Sequence, residues 1–269
     1  MTQSDKIATA LRNGLSWLRN HRDLFTIPRN VSDYNFLTSI KPIGEYTLLL
    51  EKLHSRGYPN ASESSWAWKQ FREGKLIRDM LLARPDLIVI STIYSSFLSL
   101  GFSCSATDRV IRYFLQSDYC QAIEMPRWRR LDVMHAEWKL GLRPFSDLTL
   151  RGTWISRQPE PWLVSHDVAY AATHEIFYIS DFGSKEVVID DANRKYLKLI
   201  LSSWAEIYCE ESNYDLLSEV IMCASYLGFL DIANFWVTIL LEHQRPDGHF
   251  PGPSGSASDI IHEDMDERR

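Results

Sequence analysis

Apolar residues recur at helical spacing along almost the whole chain, and this pattern limits the fold more than any other feature of the sequence. The first example is a set spaced by three or four residues, formed by Ile7, Leu11, Leu15 and Leu18. Such spacing places apolar side chains on one face of an amphipathic helix. The only β-branched run that could pass for a strand, Val187-Val188-Ile189, is short and is interpreted as a loop. The sequence therefore predicts an all-α protein without a substantial sheet.

Glycine and proline divide this pattern into short helices joined by turns. The predicted helices start near Ile7, Pro42, Ser62, Pro85 and Ser105 and then cover 131–140, 163–179, 192–208, 216–227 and 232–241. Short helices with short connections are typical of antiparallel helical hairpins. The segment Gln-Arg-Pro-Asp-Gly-His-Phe at 244–250 resembles the turn between helices in toroidal terpene cyclases and related barrels. In such a turn, Asp-Gly bends the chain, Gln caps it and Phe re-enters the core. We therefore predict helical hairpins that form a partial or complete α/α toroid, although the acidic DxDD-type motif of those cyclases is missing.

Length and composition are those of one folded domain with a tail. The chain has 269 residues, of which 45% are apolar, and this supports one large hydrophobic core. We predict a single helical domain over residues 1–250 and a flexible tail over 251–269, where Pro, Gly and Ser are followed by charged residues. No apolar run approaches the ~20 residues that span a membrane, and the N-terminus lacks the order of a secretory signal. We expect a cytoplasmic protein that does not insert into membranes.

Charge and cysteine usage exclude several classes of function. The formal net charge of -6 argues against nucleic-acid binding, which requires a basic face. The 4 cysteines form no CxxC pair, which excludes a zinc ribbon and argues against a disulfide framework. The chain also lacks a Gly-rich phosphate loop, a GxSxG elbow and an HExxH motif. A small-molecule substrate remains as the expected partner, together with a second copy in a homodimer or a pathway partner protein.

The segment from His166 to Gly183 carries the most information about chemistry. It is mostly apolar, so its few polar side chains need partners or a cavity. Because a helix has about 3.6 residues per turn, the step from His174 to Asp181 is almost two turns, and both side chains are expected on one face roughly 10 Å apart. Tyr170 and Phe177 lie close to the same stripe. An imidazole, a carboxylate and aromatic walls could therefore line a pocket.

Three interpretations of this segment remain open. In the first, His174 is a general acid/base oriented by Asp181 or Glu137, because histidine has the side-chain pKa nearest neutrality. In the second, a metal such as Zn²⁺ or Fe²⁺ is bound by mixed nitrogen and oxygen ligands. Its ligands would be His174, Asp181 and Glu137 with His135 or His166. In the third, these groups only satisfy backbone atoms and neighbouring helices.

Short segments spread over nearly the whole chain follow one another in a recognisable order. They are Lys41–Glu45, Arg130–Asp132, Ala136–Gly141, Pro159–Trp162, Thr173–His174 with Phe177, Asp181–Gly183 and Gln244–Gly248. In this order they resemble a bacterial family of helical proteins classed as a domain of unknown function, whose members are often linked to specialised-metabolite gene clusters. The resemblance implies a small-molecule setting but no particular reaction. The recurring positions that map onto this chain are Glu45, Arg130, Glu137, His174 and Asp181, and Phe182 stands where other members tend to have Trp.

These observations predict a tailoring enzyme of bacterial specialised metabolism that acts on a small molecule in a central pocket. Its reaction would be of the lyase, cyclase or hydrolase type, driven by acid/base chemistry that a metal could assist. The predicted catalytic residues are His174, Asp181 and Glu137, and the predicted substrate-binding residues are Glu45, Arg130, Tyr170 and Phe177. The alternatives are a non-catalytic small-molecule or carrier-binding protein and a helical interaction scaffold. The absence of a repeat of fixed period disfavours the scaffold.

The burial of His174 is itself a prediction. Its helix is otherwise apolar, and an unpaired buried imidazole would cost on the order of 1–3 kcal/mol. We therefore expect a buried His174 with a carboxylate partner among Glu45, Glu137 and Asp181.

Overall fold

The computed structural model describes residues 2–28 and 36–252, and these consist of helices and connecting segments without a strand. This confirms the all-α prediction, and 187–189 lies in an irregular connection as expected. The predicted flexible tail lies outside the described residues from position 253 onward. Over the described ranges, no helix is both long enough and apolar enough to cross a membrane. All four cysteines are free thiols.

The helices form two compact units, and each is described by itself. Unit 1 comprises Met1–His21 and Leu150–Arg269, and unit 2 comprises Arg22–Thr149. The predicted single domain over residues 1–250 stays a prediction.

Unit 2 contains seven of the described α-helices and three short 3₁₀ segments. The α-helices are α2 (Phe36–Ser55), α3 (Ala61–Gln70), α4 (Lys75–Ala83), α5 (Ser91–Ser99), α6 (Ser105–Leu115), α7 (Asp118–Ala122) and α8 (Arg127–Lys139). The 3₁₀ segments are Arg22–Phe25, Pro85–Ile90 and Phe145–Asp147. Helix α5 packs against both α2 and α8, and α4 packs against α6. Aromatic side chains fill the interior, with the Trp68 and Phe97 ring centroids 4.8 Å apart.

Unit 1 is built around α12, whose buried side chains lie on most of its circumference. Its helices are α1 (Gln3–Asn20), α9 (Trp154–Arg157), α10 (His166–Ile179), α11 (Asp191–Glu210), α12 (Tyr214–Tyr226) and α13 (Leu230–Leu241), with a 3₁₀ turn at Pro161–Leu163. Helix α12 packs against α10, α11 and α13, and α1 packs against α13. Because α12 contacts three helices, it buries Leu216, Val220 and Cys223 completely. The candidate site lies along the contact between α10 and α12.

Several predicted helix boundaries are wrong. Helix α2 begins at Phe36 rather than near Pro42, so the proline lies inside the helix and removes one backbone hydrogen bond there. The predicted helix after Pro85 is a 3₁₀ segment followed by α5, because Leu87 has non-helical backbone angles. The helix predicted from residue 163 begins at His166, where the Ser165 side chain accepts a hydrogen bond from the Val168 N–H and caps it. Helix α4 was not predicted from the sequence.

The turn at 244–250 is capped by Gln244 as its residues predict, whereas Phe250 is half-buried and not part of the buried core. The Gln244 side chain donates to the Gly248 carbonyl at 2.7 Å and to the Ala10 carbonyl at 2.9 Å. Gly248 has a φ of 107°, and a Cβ at this position would lie 2.3 Å from the Asn13 carbonyl oxygen. Only glycine fits so close to α1 in this conformation. The turn therefore ties the end of unit 1 to its first helix.

Candidate functional site

Three side chains of α10 contact three carboxylates in a constant register. The pairs are His166–Glu211 (2.8 Å), Tyr170–Asp215 (2.6 Å) and His174–Glu219 (3.6 Å). The three α10 residues are four positions apart, which is close to one helical turn. Asp215 and Glu219 have the same spacing on α12, whereas Glu211 lies in the connection between α11 and α12. Because the residue numbers rise together on both sides, α10 and α12 run parallel along this face. We call these three pairs the polar ladder.

His174 occupies the last rung of the polar ladder, with 30% of its side chain exposed. Its Nδ1 lies 2.6 Å from the Tyr170 carbonyl oxygen, which can only accept a hydrogen bond. Nδ1 therefore carries a proton, and the lone pair of the neutral ring lies on Nε2. The Glu219 carboxylate lies 3.6 Å from Nδ1 and favours the protonated ring. His174 is thus half-buried rather than buried, and Glu219 is a carboxylate partner from outside the predicted set.

Glu219 is held by a buried hydroxyl. The Thr173 Oγ1 contacts the same Glu219 oxygen that faces His174, and Thr173 has no exposed surface. Only 17% of the Glu219 side chain is exposed, so few other positions are open to its carboxylate. The Cys223 thiol donates to the Thr173 carbonyl at 3.6 Å and links α12 to α10 beneath the pair. Adjacent residues of α10 therefore share one carboxylate of α12.

Aromatic rings form an apolar wall beside the His174 imidazole. The Phe177 ring centroid lies 5.4 Å from that of His174 and 5.4 Å from that of Phe182. Tyr226 of α12 packs against Phe177 at 5.9 Å. Phe177 is 4% exposed. The predicted neighbourhood of an imidazole and an aromatic wall is therefore present at His174 and Phe177.

Asp181 does not lie on α10, which ends at Ile179. The expectation that His174 and Asp181 share a helix face was wrong in its premise, because it required the helix to continue through position 181. Instead, three successive residues have left-handed backbone angles, with φ of 44° at Asp181, 53° at Phe182 and 79° at Gly183. L-residues other than Asn and Asp rarely adopt this region. Asp181 is buried in this turn, with 9% exposure.

Two predicted acidic residues belong to unit 2 and have partners there. The Glu137 carboxylate accepts a hydrogen bond from Arg143 Nε at 2.5 Å, and 6% of its side chain is exposed. This ion pair fixes the chain that follows α8. Glu45 lies on the surface of α2, with 65% of its side chain exposed, and pairs with Lys41 at 3.6 Å. Neither environment resembles the pocket that the sequence predicted for them.

Two predicted basic residues of unit 2 also serve local contacts. The Arg130 guanidinium donates to the backbone carbonyls of Cys120 at 3.0 Å and Ile123 at 2.7 Å. It therefore satisfies carbonyl groups at the end of α7, which have no partners within the helix. His135 is 4% exposed, and its ring packs 5.3 Å from that of Trp138.

The metal interpretation finds no support in these positions. Within residues 2–28 and 36–252, no group of three or more His, Cys, Asp or Glu side chains is placed to hold a metal ion. His166 and His174 lie two turns apart on α10, each beside its own carboxylate. His135 and Glu137 lie in unit 2.

The environment of the polar ladder keeps its hydroxyls protonated. Burial raises the pKa of Tyr170, and its hydrogen bond to Asp215 and the charges of Asp215 and Glu219 raise it further. Burial and the Glu211 carboxylate likewise raise the pKa of Tyr208. Complete burial raises the pKa of the Cys223 thiol. These groups are therefore hydrogen-bond donors, not proton acceptors, at neutral pH.

The acidic half of the polar ladder was missed from the sequence. A usable signal exists, because Glu211, Asp215 and Glu219 repeat every four residues, as do His166, Tyr170 and His174. Matching periods on two segments indicate a contact only if the segments pack in parallel. That arrangement depends on the return of the chain through α11.

Comparison with known proteins gives one match. No curated protein and no solved structure matches the chain. One protein family, described as "Domain of unknown function (DUF6895)", matches residues 11–268. This span is nearly the whole chain and includes the polar ladder and the turn at 181–183. The chain therefore belongs to the DUF6895 family.

Proposed function

We propose that this protein is an enzyme that moves a proton on a small molecule at the polar ladder. His174 is the general acid/base, and Glu219, in place of the predicted Asp181 or Glu137, is the carboxylate whose charge acts on it. The observation that carries the proposal is the environment of His174. Its imidazole is half-exposed, its Nδ1 proton is fixed by the Tyr170 carbonyl at 2.6 Å, and a carboxylate lies 3.6 Å from it.

The fixed tautomer determines which atom reacts. With the Nδ1 proton held by a backbone carbonyl, the neutral ring presents Nε2 as the base. When Nε2 takes a proton, the positive charge develops beside Glu219, which stabilises it. The apolar wall of Phe177 and Tyr226 lowers the local polarity and strengthens this attraction. A positioned acid/base group of this kind typically contributes about 10²–10⁴-fold to a reaction rate.

Phe177 and Tyr170 are the residues we propose to contact the substrate. Phe177 packs beside the imidazole, and the Tyr170 hydroxyl lies one turn away and donates to Asp215 at 2.6 Å. A lyase, cyclase or hydrolase reaction would suit a single histidine with a carboxylate.

The biological setting is proposed on the family resemblance. We propose a cytoplasmic enzyme of bacterial specialised metabolism, in which a small molecule is tailored with or without a pathway partner protein. The helical hairpins would form a partial or complete α/α toroid, and the Gln244-to-Phe250 turn supports this because such turns join helices in toroidal proteins.

The test replaces His174 by glutamine, with His166→Gln as the matched control. Both histidines lie on α10 beside a carboxylate, but His166 is more exposed, at 55% of its side chain against 30% for His174. We expect His174→Gln to abolish a product in the metabolite profile of the host that encodes the chain, while His166→Gln leaves the profile unchanged. Melting temperatures of both purified variants should stay within a few degrees of the unmodified protein.

Two outcomes would contradict the proposal. A stably folded His174→Gln protein with an unchanged metabolite profile would remove His174 from the chemistry. An equal loss of product in both variants would show that the polar ladder acts as a whole in holding the helices together. If the protein only binds a small molecule, His174→Gln would release that molecule from the purified chain, as measured by mass spectrometry, and there would be no turnover to lose.

A further inference from the structure

The contact between Thr173 and Glu219 has no role in proton transfer by itself, yet it joins a completely buried threonine to a largely buried carboxylate. Thr173 Oγ1 lies 3.2 Å from the Ala169 carbonyl oxygen and 3.0 Å from the Tyr170 carbonyl oxygen, and it contacts Glu219 Oε2 more closely than either. A hydroxyl has one proton to donate, and a carboxylate is a stronger acceptor than a backbone carbonyl. The proton of Thr173 is therefore directed at Glu219.

The same carboxylate oxygen serves two neighbours on α10. Glu219 Oε2 accepts from Thr173 and also lies 3.6 Å from His174 Nδ1. The His174 Nδ1 proton is already directed at the Tyr170 carbonyl at 2.6 Å. Glu219 therefore acts on the imidazole mainly through its charge, and the strength of that effect depends on where the carboxylate is held.

We propose that Thr173 is a positioning residue that holds the Glu219 carboxylate beside His174 and thereby sets the proton affinity of the imidazole. The inference extends the proposed function, since it assigns the residue that prepares His174 for proton transfer. It does not depend on knowing the substrate, because proton affinity can be measured on the free protein.

Several other described groups lie near the His174 imidazole. From α10 itself, the Tyr170 carbonyl accepts the Nδ1 proton and the Phe177 and Tyr178 rings lie 5.4 and 6.2 Å away. From α12, the Glu219 carboxylate lies 3.6 Å from Nδ1, and Asp215 lies one turn earlier on α12 and accepts from Tyr170. The Cys223 thiol also faces this contact but is kept neutral by its burial, which raises its pKa. Asp181 follows α10 in the left-handed turn.

The experiment measures the pKa of His174 by NMR of the ring protons and carbons. The signals are assigned with His174→Gln. The variants are Glu219→Gln, Thr173→Val and Thr173→Ser, and Val keeps the shape of Thr without its hydroxyl while Ser keeps the hydroxyl. An opposite charge within about 4–6 Å raises a histidine pKa by about one unit or more, so Glu219→Gln should lower the His174 pKa by about one unit. Thr173→Val should lower it in the same direction, and Thr173→Ser should leave it within about 0.3 unit of the original value, because the serine hydroxyl replaces the threonine hydroxyl.

The His174 pKa values of the variants, taken together, test the positioning role of Thr173. A His174 pKa that falls with Glu219→Gln but stays unchanged with Thr173→Val would overturn the positioning role. A pKa that rises in Thr173→Val would also overturn it, since the freed carboxylate would then bind the imidazole more strongly without help. A fall in Thr173→Ser equal to that in Thr173→Val would trace the effect to packing and would equally reject it. If the pKa pattern holds but His174→Gln leaves the metabolite profile unchanged, the positioning role stands and the proposed enzymatic function fails.

Discussion

Two turns of this protein have the same backbone conformation but place their side chains in different environments. Arg72-Glu73-Gly74 in unit 2 and Asp181-Phe182-Gly183 in unit 1 each have three successive left-handed residues. Their hydrogen bonds also correspond, because the second residue donates to the carbonyl five positions earlier in both, at 3.1 Å in the first turn and 2.8 Å in the second. Position for position, Glu73 therefore corresponds to Phe182. The shared backbone allows the side chains to be compared directly.

The difference lies in what these side chains contact. Arg72 and Glu73 are exposed, and Arg72 pairs with Asp79 at 3.0 Å on the surface. Asp181 and Phe182 are 9% and 7% exposed, and Phe182 joins the aromatic wall beside His174. Left-handed angles cost roughly 1–2 kcal/mol per residue other than glycine. In unit 1, burial of an aromatic ring offsets this cost, whereas unit 2 has no such compensation from the same positions.

The glycine that ends each turn lies close to an aromatic ring, and the two rings come from different parts of the chain. A Cβ on Gly74 would lie 2.6 Å from Trp68 Cη2, and Trp68 belongs to the helix that precedes the turn. A Cβ on Gly183 would lie 2.4 Å from Tyr226 Cδ1, and Tyr226 ends α12. The closest contact therefore comes from a neighbour in sequence in the first turn, where Cys104 Cβ also lies 3.2 Å from the same position, and from a helix distant in sequence in the second turn. Such backbone strain beside a candidate site is consistent with a functional role for the second turn.

The largest expected difference in stability is between substitutions of Phe182 and Glu73. Phe182→Ala removes a buried ring and should lower the free energy of unfolding by about 3–5 kcal/mol. Glu73→Ala changes an exposed side chain at the corresponding position and should stay within about 0.5 kcal/mol. Denaturant unfolding of both variants measures the difference. Equal effects would show that the two turns are not distinguished by burial.

An intermediate effect is expected from the two glycines. Gly183→Ala and Gly74→Ala should each lower the free energy of unfolding by about 1–3 kcal/mol, because alanine is strained at positive φ and its methyl group meets a ring. Adding Tyr226→Ala should remove part of the loss in Gly183→Ala, and adding Trp68→Ala should do so for Gly74→Ala. The double-mutant cycles give the coupling. Additive effects in both cycles would show that contact with the rings does not cause the loss of stability in the alanine variants.

The smallest effects should have opposite signs in the two turns. Arg72→Gly relieves a left-handed angle and loses only an exposed ion pair, so it should raise the free energy of unfolding by less than about 1 kcal/mol. Asp181→Gly relieves the same strain but removes a buried carboxylate, and it should lower the free energy of unfolding. Thermal melts of the two variants against the unmodified protein test the signs. A gain in stability from both would mean that the Asp181 side chain contributes nothing to the turn.

The sequence predicted local structure well wherever neighbouring residues decide it. Helix α11 begins at Asp191, one residue before the predicted start at 192, and the Asp190 side chain caps it by accepting a hydrogen bond from the Asn193 N–H at 2.8 Å. The Gln244 turn also forms from its own residues. Within the candidate site, the closeness of His174 and Phe177 follows from their spacing on α10. The end of α10 at Ile179 agrees with the predicted helix 163–179. The left-handed turn that follows at Asp181-Phe182-Gly183 was missed, because the packing of Tyr226 against Gly183 cannot be read from this segment alone.

What the sequence determined by itself is the helical class, most of the helices, and His174 as the most prominent titratable group of an apolar segment. These follow from the 3–4-residue spacing of apolar side chains, which acts over one or two turns. Only the tertiary structure decided that Glu219 stands beside His174, that Glu137 pairs with Arg143, and that Asp181 is buried in a left-handed turn. The physical reason is that charge pairing and ring packing depend on distances in space. For His174 and Glu219 that distance is set by the parallel contact between α10 and α12.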